Sequence, residues 1–164
     1  MTLKNLNVYL ALFLFLSPIG RAQESIDFSY FAVDYVSTER LASVDLSSHE
    51  KAEIFKDGFL AVFGEPANFA GKYYLYMTGC GTMCQALIAI DIESGRMVDM
   101  ISASFGGCFQ ENSSLLITNP KLDSVFDDEV PDWAQSYYYK FSEEGFELLL
   151  ESKSSFPGEC INGQ

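Results

Sequence analysis

Hydrophobic positions along this chain fall into runs with three different periods. The first, Val8 to Leu16, is unbroken and apolar, with Lys4 ahead of it and Ser17, Pro18 and Gly20 behind it. Next, Ile26, Phe28 and Tyr30 alternate with Asp27 and Ser29, the period of a strand. From His49 to Phe63 the period lengthens. Ala52, Phe55, Phe59, Val62 and Phe63 recur at helical spacing and define one apolar face. Ser47 followed by Glu50 reads as a capping box, Gly64 suits the C-terminal cap, and Pro66 prevents continuation. Gly58 inside this helix costs about 1 kcal/mol relative to alanine, which points to close packing against a sheet.

Beyond Pro66 the pattern is that of strands. Lys72 to Thr78 is rich in tyrosine, and Cys84 to Ile92 is nearly continuous in apolar residues. The second run predicts a central strand covered on both faces. Glu93-Ser94-Gly95 predicts a hairpin turn returning through Arg96 to Ser102. Ser113 to Thr118 predicts another strand, ended by Asn119-Pro120. Tyr137 to Phe141 and Phe146 to Glu151 predict a second hairpin. The expected fold class is α+β: a mostly antiparallel meander of hairpins with one covering helix, stabilised by disulfides.

The apolar run near the N-terminus changes the picture of where the protein works. It is about half the length of the roughly 20 residues a spanning helix needs. With Lys4 before it and Gly20-Arg21-Ala22 after it, residues 1–22 read as a secretory signal cut after Ala22. Residues 23–164 are then a single exported, β-rich domain, expected to be soluble and either periplasmic or extracellular. The full chain of 164 residues carries a net charge of −13. Losing residues 1–22 removes Lys4 and Arg21 and no acid, which leaves −15. Such a charge disfavours nucleic acid and anionic membranes, both polyanions, and is compatible with a basic protein partner. The densest acidic stretch, Asp123 to Asp132, reads as a solvated loop.

Four cysteines, Cys80, Cys84, Cys108 and Cys160, follow the signal, and an even count in an oxidising compartment predicts two disulfides. The favoured pairing is Cys80 with Cys84 and Cys108 with Cys160; the main rival joins Cys80 or Cys84 to Cys108. Cys80 and Cys84 are also the candidate thiol–disulfide centre. Against that role, their spacing has three intervening residues, a strand rather than a helix is predicted to follow, and no Lys, Arg or His lies between Lys72 and Arg96. His49, the sole histidine, is expected to be exposed and not catalytic. No metal ligands, cofactor or catalytic residues are assigned. Asp91 and Asp99 flank the central hairpin and are expected to cap strands and turns. Tyr74 with Tyr76, and Tyr137 with Tyr139, each share a strand face, leaving Tyr73 and Tyr138 opposite. These four tyrosines are the candidate binding surface.

Ala67-Asn68-Phe69-Ala70-Gly71-Lys72-Tyr73, Gly79-Cys80-Gly81-Thr82-Met83-Cys84-Gln85, Ile90-Asp91, Gly95 and Ser114-Leu115-Leu116 together resemble a family of small exported bacterial proteins. Its pattern is NFAGxY, GCGxxCQ, DxxxG and SxLL, and the resemblance spans roughly residues 50–150. It implies export and a compact β-rich domain, and it brings no activity and no catalytic residue. Lys72 stands where many members carry histidine. The functional expectation is a non-enzymatic, acidic binding or inhibitory protein of the bacterial cell envelope. The alternatives are a thiol–disulfide protein using Cys80 and Cys84, and a hydrolase using two carboxylates.

Overall fold

The computed structural model describes residues 26–127, 129–131 and 133–160. The signal expected at residues 1–22 lies outside them. Seven strands follow one another: β1 (Tyr73–Gly81), β2 (Cys84–Asp91), β3 (Met97–Ala103), β4 (Gly107–Phe109), β5 (Leu115–Thr118), β6 (Ser136–Ser142) and β7 (Gly145–Ser152). They form two antiparallel sheets, β1-β2-β3 and β4-β5-β6-β7, in which sequence neighbours are sheet neighbours throughout. The fold is α+β and stapled by two disulfides, as the alternation and cysteine count predict. No helix among the described residues is long and apolar enough to cross a membrane.

The two sheets pack face to face. Tyr73, Leu75, Leu87, Ala89 and Ala103 of the first meet Phe109, Leu116 and Phe141 of the second around Phe69. Phe69 touches Phe109, Phe141 and Phe146 with ring centroids 5.2–6.2 Å apart. Ala86, Ile88 and Ile90 point to the opposite face of the first sheet and pack with Ala52, Phe59 and Val62. Every side chain of β2 from Ala86 to Ile90 is therefore buried, as the continuous apolar run predicts. Burying each Leu or Ile there stabilises the fold by about 2 kcal/mol. The outer face of the second sheet is covered by Phe28 and Phe156, which pack on Cys108, Leu115, Ile117 and Tyr138.

The helix is shorter and less regular than its apolar period predicts. One turn of α-helix, α1 (Lys56–Phe59), is flanked by 3-10 turns at Ala52–Phe55 and Leu60–Val62. Ser47 does not cap it. The Ser47 amide and hydroxyl both donate to Asp45 Oδ1, while Ser48 Oγ donates to Asp45 O and accepts the Met97 amide. Asp45 thus draws this stretch into a turn tied to β3, a local alternative that short polar side chains offer the backbone. Phe63 is exposed where the chain becomes extended. Gly58 does mark close packing: a Cβ there would lie 2.3 Å from the Tyr76 hydroxyl.

Two other expectations change. Ile26 to Tyr30 is not a strand: Asp27 Oδ1 accepts the Ser29 amide and starts a 3-10 turn at Phe28–Phe31. β4 carries no period in the sequence because it is three residues long, yet all three are buried.

Candidate binding surface

The GCGxxCQ stretch becomes the tip of the β1–β2 hairpin. Cys80 and Cys84 are bonded across it with Cα atoms 5.1 Å apart, and Met83 holds φ +53 within the loop. Cys108 in β4 is bonded to Cys160, Cα atoms 5.3 Å apart, which ties the C-terminal tail to the second sheet. Both bonds follow the favoured pairing and suit an oxidising compartment. Cys108 is fully buried, whereas Cys80 is exposed.

One side of this tip opens into a cleft of about 320 Å³. Met83 and Cys84 form its rim, Ser102 to Ser104 leave β3 along one wall, and Trp133, Tyr137 and Tyr139 form the other. Trp133 is 61% exposed and Met83 is 53% exposed. Trp133 rests against Phe126 and Phe105, with centroids 5.7 and 6.3 Å away, so its orientation is fixed without burying it. Tyr137 and Tyr139 lie side by side, 6.4 Å between centroids. Burial raises the Tyr139 hydroxyl above its ordinary pKa, with Tyr137 and Glu151 adding to the effect. It stays a neutral donor at neutral pH.

Asn119 closes the floor of the cleft. It sits at φ +52, a conformation asparagine tolerates better than most side chains. Its Oδ1 accepts the amides of Ser104 and Phe105, and its Nδ2 donates to Gln135 O. One side chain thereby joins the exit of β3, the end of β5 and the approach to β6.

The tyrosine pairs share strand faces as alternation predicts, but the structure does not bring them together. Tyr74 and Tyr76 pack toward the helical segment, with Tyr76 edge-on to Phe59 at 5.7 Å. Tyr73 points between the sheets and Tyr138 to the outer face of the second. Tyr74 and Tyr76 instead line a separate groove of about 490 Å³ beside β1. The sequence pattern passes over Trp133, which directly follows the acidic stretch and lies in a turn rather than in a strand. Its neighbours Asp127 and Glu129 are exposed, as expected of a solvated loop.

The remaining candidates take structural places. Asp91 is 9% exposed, and its Oδ1 accepts the amides of Glu93 and Ser94 while its Oδ2 pairs with Lys72 Nζ at 3.0 Å. Burial alone would raise the Asp91 carboxyl, but the Lys72 ammonium and the two amides hold it below its ordinary value. The Asp91 bond raises the Lys72 pKa in turn. Lys72 also reaches Glu143 at 3.4 Å and so links the two sheets. Asp99 accepts the amides of Met100 and Phe146. His49 is half-buried rather than exposed, and its Nδ1 accepts the Lys51 amide. Among the described residues no group of three or more His, Cys, Asp or Glu is placed to hold a metal ion. Comparison with protein-family models, with curated proteins and with solved structures finds no match to this chain.

Proposed function

We propose that this is a non-enzymatic binding or inhibitory protein of the bacterial cell envelope, and that it engages a basic protein partner through the aromatic cleft. The observation that carries this reading is the cleft itself. A fixed but exposed tryptophan, an exposed methionine and two tyrosines surround a concave surface in a chain of net charge −13. Aromatic faces attract Lys and Arg side chains when these are partly desolvated. Trp, Tyr and Met are also the residues enriched where proteins meet. The acidic field steers a cationic partner toward the surface. Export to the periplasm or beyond rests on the signal-like N-terminus and on the resemblance to exported bacterial proteins, and the two disulfides agree with it. The test is capture of a partner from envelope extract on the immobilised protein, at low and high salt, beside a Trp133→Ala control. The expected result is a basic protein retained at low salt, released at high salt and not retained by the control. Retention that ignores both salt and Trp133 contradicts the reading.

A thiol–disulfide protein is the second reading, favoured by the exposure of Cys80. It requires the Cys80–Cys84 bond to open at glutathione-level reductant while Cys108–Cys160 stays closed, and to open likewise on exchange with a substrate dithiol, the substrate leaving as the disulfide and Cys80 and Cys84 as the dithiol.

A further inference from the structure

The opposite side of the same hairpin tip carries a different kind of surface. β1 is an edge strand, paired with β2 alone. Along its outer edge, backbone groups of alternate residues point away from β2. Tyr73 exchanges bonds there with Phe69. At Leu75 the edge is closed by a side chain: Asn68 Oδ1 accepts the Leu75 amide at 2.7 Å and its Nδ2 donates to Leu75 O at 3.4 Å. The same alternation turns the N–H and C=O groups of Met77 and Gly79 outward. Among the described residues nothing pairs with them. An unpaired strand edge is a template for another strand.

Three further features coincide at this stretch. The groove of about 490 Å³ runs along it, lined by Tyr74, Tyr76, Met77, Gly79, Gln85 and Phe109 among others. Gly79 adjoins the register shift between Gly79 and Gly81, yet its own φ is not positive and an added Cβ would meet nothing within 4 Å. A glycine within a strand often marks the close approach of another backbone. Gln85, opposite Gly79 in register, has a buried side-chain oxygen with no donor.

We propose that the outer edge of β1 at Met77 to Gly79 takes an extended segment of a basic protein partner by strand addition. This rests on the binding reading above and assigns the partner a second contact, with backbone groups rather than side chains as the recognised chemistry. Charge complementarity selects the occupant. The groove is lined by no charged side chain of either sign; the complementarity is that of the whole chain, net −13, with Glu65 acting on Tyr74, whose hydroxyl is raised mainly by burial and then by that carboxylate. A second copy of this chain would bring another −13 charges to the same edge. A cationic strand meets no such opposition. The aromatic cleft and the groove flank one disulfide-locked tip, with Met83 and Cys84 on one side and Gly79 and Gln85 on the other.

The test uses a synthetic eight-residue peptide of alternating lysine and valine, and the same peptide with N-methyl groups on alternate residues. Amide hydrogen exchange of the intact protein reads the edge, while emission of Trp133, the sole tryptophan, reads the cleft. The expected result is slowed exchange at Met77 and Gly79 with the first peptide and not with the second. Gly79→Val, which leaves the fold intact because its Cβ meets open space, weakens that peptide by about tenfold. Equal slowing of exchange at Met77 and Gly79 by both peptides, unchanged protection of that edge in Gly79→Val, or dimerisation through β1 in sedimentation overturns the proposal. Trp133 emission that responds while Met77 and Gly79 exchange freely overturns this inference and leaves the cleft reading standing. Silence in both overturns both.

Discussion

At the scale of single residues, the chemistry of the exposed carboxylates and the buried ones diverges. Asp91 is the clearest case: two turn amides and the Lys72 ammonium bind its charged form, and its pKa is lowered. A carboxyl whose folded pKa lies below its unfolded value contributes stability that is present above the unfolded value, near 3.9. That stability is lost as pH falls through the folded one. Replacing Asp91 by Asn is expected to cost about 2 kcal/mol at pH 7, the range for bonds to a charged group. Urea unfolding at pH 7 and pH 3 checks this. The difference between wild type and D91N is expected to shrink at the lower pH. A difference that persists unchanged at pH 3 would show that the pair is not acting through charge. The turn role of Asp91 is legible in the sequence because Glu93-Ser94-Gly95 follows it. Its partnership with Glu143 through Lys72 is not, since it depends on the β6–β7 hairpin arriving beside the first sheet.

At the scale of elements, what the sequence made legible were the strands with an unbroken period. β2, the hairpin to β3, and the β6–β7 pair lie where alternation and turn residues place them. Residues 52–62 show where local chemistry wins over period: Asp45 recruits Ser47 and Ser48 into a turn, and Gly58 weakens the helix in exchange for contact with Tyr76. The first disagreement, at Phe28–Phe31, has the same cause, an aspartate that captures the next turn's amide. Disulfides are the elements whose energetic weight can be ranked from their separation along the chain. Cys108 and Cys160 lie 52 residues apart and Cys80 and Cys84 only 4. In the chain-entropy model the long loop is worth about 4 kcal/mol and the short one about 2 kcal/mol. Paired Cys→Ala variants measured by thermal or urea unfolding are expected to follow that order. Reversal of the order would mean that the Cys80–Cys84 loop has a larger part in the fold than a local staple.

At the scale of the whole molecule, the two sheets and the helical segment make layers, and the surfaces left over meet at one hairpin tip. Antiparallel meander topology was readable from strand spacing. The division into two sheets was not, because β3 and β4 are separated by only a short turn and nothing in the local pattern marks the change of sheet. For the same reason the four candidate tyrosines were readable as two pairs but not as two separate places. Only the packed molecule sets Tyr137 and Tyr139 against Trp133 and Met83, and Tyr74 and Tyr76 against the edge of β1. The acidic charge, by contrast, is a property of composition and needs no fold. It sets the expectation that association weakens with salt.

The most direct test of the account is titration of Trp133 emission with the alternating lysine–valine peptide at low ionic strength, in wild type and in Tyr137→Ala/Tyr139→Ala. The account predicts a saturable shift in wild type that weakens as salt is added and is lost in the double variant, with far-UV circular dichroism unchanged between the two proteins. No shift in wild type, or the same shift in both proteins at high salt, would contradict it.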